Sequence, residues 1–411
     1  MASNNPFSIG DQFPPVSTQQ WEEVIRQDLK GVDYSKKLIW RPVEGFEVKP
    51  YYRAEDLKEL PTVPRAKPDG NDWLVREDFD VKRLSAANSQ AKETINLGCQ
   101  SIGLSLPITS EPSIKGFSQL LEGIDPSRVE VNILIERSAP RVLEAYTSYL
   151  KRQGIDLSNV NGSVICSPLN AITRKGTFCK DKATAQSTMS LLVSLAKEVP
   201  NLKLFGIGGD IFHNAGASVV QELAFSLAMG AEYLDWLTDF GIDAAGAAST
   251  IKFTLAVGTN YFMEIAKLRA ARHLWAKIQE AYCINEGQFS PICTHAVTGR
   301  WGMTLYDPYV NMLRTTTGAM SAALGGAHSL TVLPFDTAFS EPSPFSQRIA
   351  SNQQLVLREE AYLNRVADPA AGSYLIENLT ALLADSAWNL FLKVEELGGY
   401  TQALAEGFIQ Q

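Results

Sequence analysis

From about residue 90 onward, helix-like and strand-like segments alternate, and this alternation narrows the fold of the 411-residue chain more than any other feature. Helix-patterned Gln90–Leu97 precedes strand-like Ser101–Leu106. The order then repeats: Ile114–Leu121 before Val129–Leu134, Ala139–Gln153 before Gly162–Cys166, Lys182–Val199 before Leu202–Ile207, and Ser218–Met229 before Glu232–Trp236. Phe253–Tyr282 precedes Ser290–Thr294, Val310–Leu324 precedes His328–Val332, and Ser346–Leu363 precedes Gly372–Ile376. About eight such units imply a parallel sheet, and eight fit a closed (β/α)8 TIM barrel of the α/β class. An open doubly wound sheet is the alternative, but no G-x-G-x-x-G follows the first strand.

Three regions are expected. Residues 1–90 read as an extended, dimer-wrapping arm: a helix over Trp21–Lys30, then a stretch broken by Pro42, Pro50, Pro61, Pro64 and Pro68. Its aromatic side chains, among them Trp21, Trp40, Tyr51 and Tyr52, argue for burial somewhere. Residues 91–397 read as the barrel, with a last helix over Leu379–Leu397, and 398–411 as a tail.

A net charge of −8 without a basic run argues against a nucleic-acid partner. Five cysteines (Cys99, Cys166, Cys179, Cys283 and Cys293), odd in number and without a C-x-x-C, fit reduced thiols in a cytoplasmic protein. Only His295 stands near the Cys283–Cys293 pair, so no metal site is expected. From Met1 on there is neither a signal-peptide pattern nor an 18-residue apolar run, so no membrane association is expected.

Chemistry has three candidate locations. Phe205–Ala217 ends a strand in a glycine-rich turn carrying Asp210 and His213, either an acid–base pair near an anion site or a tight loop in which Asp210 or Asn214 caps a helix. Thr294–Pro308 gathers His295, Thr298, Arg300 and Asp307, either a phosphate or carboxylate clamp or a buried histidine beside a surface arginine. Leu333–Pro344 is a proline-shaped loop over the barrel mouth or plain scaffold. No P-loop, G-x-S-x-G or H-E-x-x-H occurs.

Gly258–Lys277 reads as an amphipathic helix, with Phe262, Ile265, Leu268 and Trp275 on one stripe and Lys267, Arg269 and Lys277 elsewhere. Its wording resembles a signature of the methylmalonyl-CoA mutase family. So do Leu38–Tyr52, Asn214–Ala217, Thr294–Asp307, Arg348–Leu355 and Asp368–Tyr374, in the same order. The resemblance implies an isomerase fold in which acyl-CoA threads a (β/α)8 barrel joined to a C-terminal cobalamin domain.

It also implies functional positions, and this chain departs from them. Where active members carry a Tyr-His pair, Asp210 and Ile211 stand. Where they carry a carboxylate-binding arginine ahead of the long helix, Thr250 stands. Val297 replaces the glutamine of the T-H-x-Q loop, and Thr337 the glutamate of D-E-A. Asn71–Val75 does not match the arm segment R-Q-Y-A-G. The cobalamin motif D-x-H-x-x-G has only a near miss, Asp210 to Gly216.

Scaffold kept and site lost implies a small, non-catalytic subunit: no catalytic residues, with His213, Lys252, His295, Thr298 and Arg300 as a vestigial pocket. Its partner is expected to be a large catalytic subunit that holds adenosylcobalamin, with none bound here and the cobalamin domain missing. A homodimer is expected in isolation. The alternatives are a fragment of an active or divergent acyl-CoA mutase and a CoA-ester-binding module.

Overall fold

The computed structural model describes residues 13–57, 63–64, 70–107, 113–178 and 180–411. Met1, Pro61, Pro68 and Cys179 lie outside the described residues. Eight parallel strands close into a barrel in chain order: β1 (Leu74–Asp80), β2 (Ser101–Ser105), β3 (Glu130–Leu134), β4 (Gly162–Cys166), β5 (Leu202–Gly208), β6 (Ile251–Val257), β7 (Cys293–Thr298) and β8 (Ser329–Thr331). Closure comes from β1 pairing with β8, Leu74 opposite Ser329 and Val75 opposite Leu330. Among the described residues no helix is long and apolar enough to cross a membrane.

Eight strands were expected and eight are present, but two of them are different ones. β1 lies inside the stretch read as arm, so the barrel begins well before residue 91. Its sequence, Leu-Val-Arg-Glu-Asp-Phe-Asp, hides the strand because Arg76 and Asp78 point into the barrel and pair with each other there. β6 lies partly within the segment read as the long helix, which starts only at Tyr261. Conversely, Glu232–Trp236 belongs to helix Val219–Asp239, most of whose residues are buried, so its apolar run is continuous. Gly372–Ile376 is the entrance to helix Tyr374–Glu396, whose N-cap Ser373 accepts a hydrogen bond from the Ile376 amide.

In the arm, helix Thr18–Asp28 is closed at its start by a reciprocal Ser17–Gln20 capping box. None of its residues is buried, and Trp21, Val24, Trp40 and Val43 remain exposed. The tail, by contrast, packs down: Tyr400, Ala403 and Leu404 are buried, and the Tyr400 hydroxyl meets Thr173 Oγ1 at 2.6 Å.

Helix Tyr261–Ala281 is not amphipathic as its sequence suggests. Phe262 is exposed, whereas Lys267 and Arg269 are buried. Arg269 pairs with Asp368 and Glu377 across to the C-terminal helix and the segment before it. Lys267, wholly buried, sits 2.6 Å from both Glu222 Oε2 and Glu264 Oε2 and donates to the Ala256 carbonyl at 2.6 Å. The same carboxylates accept from the Ala256 amide (2.7 Å) and the Gly258 amide (2.9 Å), so this ionic knot fixes the end of β6 between two helices. Burial alone would push the Glu222 carboxyl up, but Lys267 and His213 together outweigh it and hold the group below the ordinary range.

Removing one member of a buried ion pair leaves an uncompensated charge, which costs about 3–5 kcal/mol. Lys267→Met is therefore expected to lower unfolding stability in urea by about that much, and adding Glu222→Gln to restore part of it. A single variant as stable as the parent would contradict this role.

Candidate functional site

Charged and polar side chains from several strands meet inside the barrel. Lys252 on β6 reaches across to β3, three strands away, and donates to Glu130 Oε1 at 3.0 Å and Asn132 Oδ1 at 2.7 Å. Glu130 also accepts from Ser101 Oγ (3.1 Å) and Asn132 Nδ2 (2.9 Å) and meets His328 Nε2 at 3.0 Å. Ser163 Oγ donates to Asn132 Oδ1 at 2.7 Å. Burial opposes ionisation of Glu130, but the Lys252 ammonium and the His328 contact outweigh it and hold the carboxyl far below its usual range.

A second group completes the plug from β1. Arg76 donates to Asp78 Oδ1 through Nη2 (2.6 Å) and Nε (2.8 Å), and Thr331 Oγ1 donates to Asp78 Oδ2 at 2.8 Å. Gly103 on β2 makes room for this pair, since a Cβ there would come within 2.6 Å of Arg76 Nη2. Against the cost of burial, Arg76 and then His295 hold the Asp78 carboxyl down at about 2. His295 lies with Nδ1 3.0 Å from Ser329 Oγ and Nε2 3.8 Å from Asp78. Burial, reinforced by Arg76, pushes its pKa well below the usual histidine range.

Above the plug, the C-terminal ends of the strands open into a cavity of about 1080 Å³. Asp210, Val297, Lys252 and His295 all line it. Asp210 begins the short helix Asp210–Asn214 after β5. Burial pushes its carboxyl up to about 6, opposed by Arg174 and reinforced by Glu222.

Other positions singled out from sequence fall elsewhere. Ile211 turns its Cδ1 toward Gly208. Thr250 precedes the first residue of β6, at the opposite end of the barrel from the mouth, and its hydroxyl donates to the Ala247 carbonyl at 2.7 Å. A change at 250 therefore says nothing about the mouth. Thr298 accepts from the Leu333 amide at 2.8 Å and ties β7 to the segment after β8. Asp336, beside Thr337, accepts from the Ser343 amide and shapes its own loop. Arg300 donates its backbone amide to Asn214 Oδ1 at 2.8 Å. His213 stands with Nδ1 3.6 Å from Glu222, its ring wedged against Gly258 and Gly299.

Arg174 was missed. It lies in the last turn of helix Pro168–Lys175, which follows β4, and after burial it is the largest influence on Asp210. A basic residue in the unit after a strand C-terminus was the available signal.

Fold and site together define a (β/α)8 barrel with ion pairs inside it and a cavity at the strand C-termini. Residues 103–411 match the methylmalonyl-CoA mutase family, and the chain belongs to it. It is 41% identical to the methylmalonyl-CoA mutase small subunit of Porphyromonas gingivalis, over 97% of this chain and 66% of that one. It is 33% identical to the small subunit of Streptomyces virginiae (98% and 67% covered) and 30% identical to the methylmalonyl-CoA mutase of Rhizobium meliloti (95% and 59%). The chain thus spans 59–67% of the length of these three relatives.

The family resemblance implies adenosylcobalamin, but the barrel residues do not fit its lower ligand. The one histidine in a near-miss motif, His213, has its Nε2 buried and without a hydrogen-bond partner, sealed by Gly299 and held toward Glu222.

Two outcomes check this electrostatic picture. Because burial disfavours the Asp210 carboxylate in the fold, its cost is absent below about pH 4, grows as pH rises toward 6, and is full above that. Asp210→Asn is expected to stabilise the protein by about 1–2 kcal/mol at pH 7.5 and not at pH 4 in urea melts; equal effects at both would contradict it. Asp78, held down, stabilises the fold above about pH 4 and loses that contribution as pH falls toward 2, so Asp78→Asn is expected to flatten the acid limb of the stability curve.

Proposed function

We propose that the chain is the barrel region of a small mutase subunit, which supports a catalytic large subunit in a heterodimer and turns over no acyl-CoA itself. The observation that carries this reading is the Lys252–Glu130 pair across the barrel axis. A pantetheine chain threaded along the axis, as the family resemblance implies, would have to displace two charged side chains that are more than nine-tenths buried and leave them unpaired. The names of the Porphyromonas and Streptomyces relatives support the subunit reading. So does the arm, whose exposed Trp21, Val24, Trp40 and Val43 form apolar surface suited to a protein partner.

In this role the barrel is rigid scaffold, and methylmalonyl-CoA/succinyl-CoA isomerisation and adenosylcobalamin belong to the partner. Mixing the chain with a large catalytic mutase subunit is expected to give a single heterodimer peak on size-exclusion chromatography. Trp21→Ala with Trp40→Ala is expected to weaken it by tenfold or more, about 1.4 kcal/mol. The chain alone, supplied with adenosylcobalamin and methylmalonyl-CoA, is expected to form no succinyl-CoA. Turnover by the isolated chain, or no complex with the large subunit, would overturn the reading.

A further inference from the structure

The last helix and the tail meet helix Val219–Asp239 around a small cavity of about 270 Å³, which shares no lining residue with the cavity at the barrel mouth. Four carboxylates line it: Glu232, Asp235 and Asp239 from helix Val219–Asp239, and Glu395 from the last turn of helix Tyr374–Glu396. Lys182, at the start of helix Lys182–Leu195, is the one cation among the described lining residues. Tyr282, just past helix Tyr261–Ala281, donates its hydroxyl to Asp235. Lys182 Nζ and Trp236 Nε1 both donate to Glu232 Oε1, at 3.2 and 3.1 Å. Glu395 Oε1, by contrast, is buried and has no hydrogen-bond partner.

The tail is tied to the same cluster. Glu232 accepts from the Thr401 amide (3.1 Å) and hydroxyl (2.7 Å) in the first turn of helix Tyr400–Ala405. Between Glu395 and Thr401 the chain turns through Gly398 and Gly399, both with left-handed backbones (φ 97° and 90°). A Cβ on Gly399 would come within 2.9 Å of Glu232 Oε2, so the glycine brings the tail's backbone against that carboxylate. The carboxylate that seats the tail therefore faces a second carboxyl group that lacks a partner.

Burial pushes the Glu395 carboxyl up to about 7, and Asp235 and Glu232 add to the shift. Burial raises Asp235 as well, against the Tyr282 hydrogen bond. An unperturbed glutamate ionises near 4.5, so holding Glu395 in place costs nothing below that pH. The cost builds as pH rises toward 7 and is full above it.

We propose that this cluster is a pH-sensitive latch for the tail: with Glu395 protonated the tail stays seated on Glu232, and when Glu395 ionises beside Glu232 and Asp235 the last turn of helix Tyr374–Glu396 and the tail loosen about Gly398 and Gly399. The latch belongs to this chain alone and stands whether or not it pairs with a large subunit.

Hydrogen–deuterium exchange at about pH 5 and about pH 8, expressed as protection relative to the unstructured chain, tests it. Protection of residues 400–405 is expected to fall by about tenfold at the higher pH, while helix Ala139–Arg152 keeps its own. Glu395→Gln, neutral throughout, is expected to leave the tail equally protected at both and to keep the parent's melting temperature at about pH 5. Glu396→Gln, an exposed neighbour outside the cavity, is expected to retain the parent's pH dependence. Equal tail protection at both pH values in the parent, an equal loss in helix Ala139–Arg152, a dependence that survives Glu395→Gln, or one abolished by Glu396→Gln would overturn the proposal.

Discussion

The pair between Lys252 and Glu130 governs what this barrel can do. Charges of opposite sign on strands nearly opposite each other are joined across the axis, and Asn132, Ser101, Ser163 and His328 fill in the remaining polar contacts. In a low-dielectric interior such a pair is tolerated only when its members are paired and hydrogen-bonded. The neighbouring strands meet this demand with small polar residues at matching register: Ser101 lies opposite Glu130, and Asn132 opposite Ser163. The Arg76–Asp78 pair repeats the device one layer away, with Gly103 leaving the space it needs. Together they set two groups of paired charge inside the barrel, and the mouth cavity reaches down to Arg76, Asp78 and Lys252.

A second ionic cluster does for the wall what the first does for the axis. Lys267, Glu222 and Glu264 clamp the last residues of β6 through its amides and a carbonyl. His213 lies against the same cluster. The residues of the sequence signature that resembles a radical mutase are here structural. They hold the strand end in place, and the imidazole beside them is committed to packing.

Much of this was legible in the sequence. Strands β2 to β5 and β8 were visible as short apolar segments between helical ones, β7 was placed three residues too early, and the barrel class followed. β1 and β6 were not. β1 spends its inward positions on an ion pair, which cancels the apolar alternation, and β6, with Lys252 among its residues, ends just before the long helix, so strand and helix are hard to part there. The same ambiguity made the buried end of helix Val219–Asp239 look like a strand. At the site, Lys252 and His295 were singled out, but that Lys252 meets Glu130 and His295 lies near Asp78, both far away in the chain, is tertiary information. That Thr250 lies at the end of the barrel opposite the mouth, and Arg174 beside Asp210 at the mouth, is tertiary information as well.

Closure of the barrel axis is tested most directly by hydrogen–deuterium exchange of the chain with and without saturating succinyl-CoA. If the Lys252–Glu130 floor excludes a threaded pantetheine, exchange at residues 101–103, 130–132 and 251–253 will be unchanged by the thioester. Strong protection confined to those inner strand segments would mean that the ion pair opens and the axis admits the substrate, and would contradict a scaffold barrel.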